Sequence, residues 1–98
     1  MKAYISKRAA RAAERIHEGW RQRADHPNTF SVELLAAIES LETSGGFGTS
    51  YPTARHPQLR RVLLPKSRCH VYFEVDEGKQ VINILHVWDG RRERGPSL

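Results

Sequence analysis

The sequence predicts an α+β domain in the order β-α-α-β-β-β, with a helix hairpin packed on one face of a small, mainly antiparallel sheet. Two stretches with apolar residues at helical spacing come first, and three with strand-like character follow. The break between the helical stretches, Asp25-His-Pro-Asn28, is short enough to fold them back on each other as an antiparallel pair. At 98 residues the chain is one domain, 1–98, with 89–98 read as a polar, basic tail.

Each element has a local reason. Lys2-Ala-Tyr-Ile5 alternates and reads as one brief strand. Ser6 stands where its hydroxyl can cap a helix. From Lys7 to about Ala24, Ala9, Ala13, Ile16 and Trp20 share one face, with Arg8, Arg11 and Arg15 on another. Gly19 weakens that helix by about 1 kcal/mol relative to alanine. Pro27 disfavours helix at His26, and Asn28 or Thr29 can start the second helix, which ends near Thr43. Its apolar face is Phe30, Leu34, Ala37, Ile38 and Leu41. Ser44 to Pro57, rich in glycine and proline, reads as loop.

Leu59 to Leu64 resumes as strand, and Pro65-Lys-Ser67 turns the chain. Cys69, Val71, Phe73 and Val75 then alternate with His70, Tyr72 and Glu74. Asp76 to Gln80 forms a hairpin turn around Gly78. Val81 to Trp88 is apolar on both faces and is expected to be the central strand. The helix hairpin must cover one sheet face to bury its stripes. The other face is expected to stay partly open, ringed by basic residues.

Charge is the feature that speaks to function. The chain carries a net +5. From Thr43 to Phe73 there is no Asp or Glu, while Arg55, Arg60, Arg61, Lys66 and Arg68 accumulate. A second cluster, Arg91, Arg92 and Arg94, follows the last strand. Guanidinium forks bind phosphates or carboxylates bidentately, so this pattern attracts polyanions or an acidic protein segment. Basic residues at a sheet edge also occur simply to prevent aggregation, and a basic tail is common at a terminus.

His70 can act as a general base near neutral pH, and Tyr72 can stack on a base. Both also fit a half-buried polar pair. His86 reads as a satisfied interior histidine. Trp88 is either core or an anchor for a partner.

Other chemistries lack their signatures. The histidines and Cys69 show no ligand spacing, so no metal is expected. No cofactor is expected either, because Gly45-Gly-Phe-Gly48 follows no strand. A single cysteine excludes an internal disulfide and fits a reducing cytoplasm. No signal peptide and no membrane partner are expected.

The layout resembles the RelE/ParE superfamily of toxins from bacterial toxin–antitoxin pairs. The likeness is sharpest from Leu59 to Leu98, in Leu-Arg-Arg-Val-Leu-Leu-Pro, His-Val-Tyr-Phe-Glu-Val-Asp and the closing strand with its arginine-rich end. The resemblance implies a cytoplasmic bacterial toxin of a type II, plasmid-stabilisation system. A cognate antitoxin with an acidic, partly disordered segment would hold it inactive. RelE-like members cut mRNA on the ribosome without metal, and ParE-like members poison DNA gyrase.

Compared with the nuclease branch, His70 replaces an arginine, Leu63 replaces a lysine, and nothing aromatic follows Trp88. The ParE-like branch, a gyrase inhibitor and no enzyme, is therefore the expectation. Arg60, Arg61, Lys66, Arg68, Tyr72, Trp88, Arg91, Arg92 and Arg94 would then contact target or antitoxin. The alternative is a ribosome-dependent endonuclease using His70, Arg61 and Arg92. A further alternative is a non-toxic basic binding module.

Overall fold

The computed structural model describes residues 1–45, 47–91 and 95–98. The elements are β1 (Lys2–Ile5), α1 (Lys7–Arg21), α2 (Thr29–Ser44), β2 (Thr49–Ser50), β3 (Arg60–Leu64), β4 (Cys69–Asp76) and β5 (Val81–Asp89). They form one five-stranded sheet ordered β1-β5-β4-β3-β2. β1 runs parallel to β5, and the other pairings are antiparallel.

The expected α+β hairpin-on-sheet architecture is present, with four differences. β2 is an added edge strand of two residues, too short to show alternation. α1 stops at Arg21, three residues early, where the Gln22 and Arg23 amides close back on Trp20. β5 is an interior strand, but β4 is the middle one, because β1 takes only one flank of β5. The face away from the helices is also less open than expected. There Tyr51 packs edge-on against Tyr72 at 5.4 Å, and His56 Nδ1 meets Glu74 Oε1 at 3.2 Å.

The core lies between helices and sheet. Phe30, Leu34 and Leu41 of α2 and Ala9 and Trp20 of α1 pack on Leu64, Cys69, Val71, Phe73, Ile82, Ile84 and Val87. These strand residues occupy one face by alternation until β5 breaks it. The register shifts between Tyr72 and Phe73: Tyr72 pairs with His86, and Phe73 with Ile84. Leu85 is the extra residue of a β-bulge. Past it, Val87 faces the helices and His86 and Trp88 face away, the reverse of strict alternation from Ile84.

α1 begins at this bulge. The Ser6 amide donates to Ile84 O at 3.0 Å, and Ser6 Oγ donates to Leu85 O at 3.0 Å. The same hydroxyl accepts from the Ala9 amide at 3.0 Å as the N-cap. At its far end α2 stops on Gly45 in the left-handed region, φ 77°.

The β3–β4 turn is held from outside. Glu33 of α2 accepts from the Lys66 and Ser67 amides, both at 2.8 Å. Arg68 takes a positive φ of 60°, and its carbonyl accepts from the Gly90 amide at 2.8 Å. A Cβ on Gly90 would sit 2.2 Å from that carbonyl oxygen, whereas one on Gly19 meets nothing within 4 Å.

Two substitutions therefore move stability in opposite directions. Gly90→Ala should cost about 1–3 kcal/mol by overpacking and loss of the bond to Arg68. Gly19→Ala should gain about 0.5–1 kcal/mol through helix propensity. Urea unfolding of both variants checks the pair of signs.

Candidate functional site

The strand register decides which predicted residues meet. Arg61 pairs with Tyr72 and Tyr72 with His86, while Leu63 pairs with His70 and His70 with Trp88. Cross-strand partners share a face. Arg61, His70, Tyr72 and Trp88 therefore lie together on the face away from the helices, beside Leu63, which is 51% exposed. Arg60 pairs with Phe73 and points to the opposite face. Lys66 and Arg68 sit on the β3–β4 turn at the sheet's end. Arg92 and Arg94 lie outside the described residues.

Loop 51–59 is folded across part of this face. The Tyr51 amide donates to Leu59 O at 2.8 Å, and the Leu59 amide to His56 O at 3.1 Å. Thr53 and His56 close the loop tip, with the His56 amide on Thr53 Oγ1 at 3.1 Å. Leu59 is fully buried beneath it. Tyr51 thereby becomes a platform: the Arg61 guanidinium sits 4.4 Å from its ring centre, a favourable cation–π distance.

That platform changes the part expected of Tyr72. It is 1% exposed, so its ring is interior and cannot receive a nucleic-acid base. Tyr51 was missed because it stands in a glycine- and proline-rich stretch without periodicity. Only its aromatic character hinted at packing.

His70 is half-buried, with its ring tilted 6.2 Å from Tyr72. Burial and the Arg61 charge push its pKa below the ordinary value of 6.5. At neutral pH it is an uncharged imidazole beside a guanidinium. It can accept a proton or a hydrogen bond, but it adds no positive charge. Among the described strand residues, only Arg61 and the distant Lys2 of β1 bring a Lys or Arg to this face.

Around the edge of β5 the face meets a cleft of about 150 Å³. Ala12, Arg15, Ile16 and Gly19 of α1 form one wall, and His86 to Asp89 with Arg91 form the other. Arg91 is clasped by Asp89. Its Nε and Nη2 donate to the carboxylate at 3.1 and 2.9 Å, and its amide donates at 3.0 Å. The hydrogen bond and the carboxylate charge hold Arg91 protonated.

His86 is interior as expected, 5% exposed. It is not fully satisfied, however: Nδ1 is buried with no hydrogen-bond partner among the described residues. Burial, then Arg8 and Arg15, push its pKa down to about 4. Cys69 is a buried thiol that burial keeps protonated, so it offers no ready nucleophile. Among the described residues no cluster of His, Cys, Asp or Glu could hold a metal ion, and no helix is long and apolar enough to cross a membrane.

No protein-family model and no curated protein matches the chain. Solved structures do. A chain of a chromosomal ParDE TA system from P. aeruginosa superposes with a TM-score of 0.64 at 17% identity, covering 91% of this chain and 95% of that one. A chain of the intact E. coli RelBE toxin–antitoxin complex gives 0.62 at 17% identity, over 95% and 98%. The isolated E. coli RelE toxin gives 0.61 at 16% identity, over 95% and 87%. The chain thus has the RelE/ParE-like fold over nearly its whole length.

The buried, neutral His86 makes stability pH-dependent. In the unfolded chain it binds a proton below about 6.5, and in the folded chain only below about 4. The folded state is therefore favoured above that window and loses about 3 kcal/mol as pH falls through it. Denaturant unfolding at pH 7 and pH 4 should show a loss in the parent chain that is clearly smaller in His86→Gln.

Proposed function

We propose that this chain is the toxin of a type II toxin–antitoxin pair, acting by binding its target rather than by cutting RNA. The fold it shares with chains of the ParDE and RelBE systems supports the toxin reading. A cognate antitoxin with an acidic segment would cover the cationic surface.

One observation favours binding over cleavage. A metal-free nuclease needs several converging cations to carry charge in the transition state. Among the described residues, this face offers beside Arg61 exposed Leu63, neutral His70 and half-buried Trp88, with Arg15 of α1 only at the adjoining cleft. Arg60 faces the other way, and Arg91 is engaged by Asp89. A mixed apolar and cationic surface suits a protein partner, in which an arginine and an aromatic act as anchors. DNA gyrase, the target of ParE-like toxins, is the proposed partner. The nuclease reading keeps one point in its favour, the unprotonated His70 next to Arg61.

Induction of this chain alone in a bacterial host should arrest growth, and the purified chain should inhibit supercoiling by gyrase. Arg61→Ala should weaken inhibition about tenfold or more, while Arg60→Ala stays within about twofold. mRNA on translating ribosomes should remain intact. Cleavage that His70→Ala abolishes would establish the nuclease instead, and normal growth would establish a non-toxic binding module.

A further inference from the structure

Helix α2 is apolar on two sides. Phe30, Leu34 and Leu41 point into the core, yet Val32 and Leu35 stand 63% and 67% exposed. With exposed Ala36 they fall at i, i+3 and i+4, a single outward stripe. A helix that packs only once needs no such second stripe.

The charge around the stripe is unlike the rest of the chain. α2 contains Glu33, Glu39 and Glu42 and no Lys or Arg. Nucleic acid is therefore repelled here. Two of these carboxylates are occupied within the chain, Glu33 by the Lys66 and Ser67 amides and Glu42 by the Ala3 amide, which leaves Glu39 as the exposed acid that a second copy meets.

The two ends of the stripe also differ in sign. At the N-terminal end a shallow groove is lined by His26, Pro27, Val32 and Lys66. Glu33 lines it too, but its carboxylate is taken up by the Lys66 and Ser67 amides. At the C-terminal end a second groove is lined by Ala36, Glu39, Thr43 and Phe47. Phe47 is 38% exposed.

A two-fold axis passing between Leu35 and Ala36 matches one end to the other. It lays α2 antiparallel to a copy of itself, with Leu35 against Ala36 and Val32 beside Glu39. The Glu39 end of each copy then meets the Lys66 end of its partner, and Phe47 comes over the His26–Pro27 groove. Each contact occurs twice, as an isologous interface requires.

We propose that the outer face of α2 is a homodimer interface, occupied by α2 of a second copy of this chain. The patch is little more than one helix of 16 residues, about 24 Å long. Such a small interface predicts a weak dimer, with a dissociation constant of about 10–100 µM. The inference stands apart from the toxin reading, because its readout is mass and not growth.

Sedimentation equilibrium of the full chain, from about 1 to 500 µM, tests it. The mass should rise from 11.2 kDa towards twice that value. Leu35→Glu should remain at the single-chain mass throughout, with an unchanged far-ultraviolet spectrum, since Leu35 is outside the core. Glu39→Lys and Lys66→Glu should each weaken the dimer about fivefold, and the double exchange should restore it. A single-chain mass at every concentration would overturn the proposal. So would a dimer that survives Leu35→Glu, or charge exchanges that fail to compensate.

Discussion

Ser6 joins the two layers of this molecule. Its amide and hydroxyl take the carbonyls of Ile84 and Leu85, and its oxygen caps α1. All of this happens where β1 ends and β5 bulges. An exposed strand edge beyond the bulge would present unpaired backbone groups. Instead α1 runs alongside the second half of β5 and occupies that edge. The bulge also turns His86 and Trp88 to the face away from the core. Helix and bulge together create the cleft, bury His86 and set His86 and Trp88 opposite Tyr72 and His70.

The same economy governs charge. The acid-free segment draws on acids from elsewhere in the chain, and the end of β5 on its own Asp89. Glu33 holds the turn at Lys66 and Ser67, Glu74 meets His56, and Asp89 clasps Arg91. Of the cations apparent in the sequence, Arg91 is engaged by Asp89, and Arg60, Arg61, Lys66 and Arg68 are divided between the two sheet faces and the β3–β4 turn. Among the described strand residues of the face away from the helices, Arg61 over Tyr51 is the cation nearest His70, and Leu63, Tyr72 and Trp88 beside it are uncharged.

Periodicity made most of the fold legible. The inward stripe Phe30, Leu34 and Leu41 marked α2, and the alternation from Cys69 to Val75 marked β4 and its two faces. Ser6 and the break at Pro27 placed the helix ends. The rest depends on contacts between distant segments. Thr49 and Ser50 become a strand only because β3 lies beside them. The bulge at Leu85 leaves no mark in an apolar run, and strict alternation would put His86 on the wrong face. The seat of Tyr51 on Tyr72 comes from a loop whose path glycine and proline leave open. Arg61, His70 and Trp88 of the candidate face stand out in the sequence. Its covering loop and the clasp on Arg91 do not.

Amide hydrogen exchange of Ser6→Ala against the parent chain tests the joint between the layers. Losing the cap and the Leu85 bond should cost about 1–2 kcal/mol, felt first in α1. Amides from Ala9 to Trp20 should exchange about tenfold faster or more, while the β4–β5 ladder keeps its protection. Equal loss in helix and ladder, or none in either, would contradict the claim that Ser6 seats α1 on the sheet.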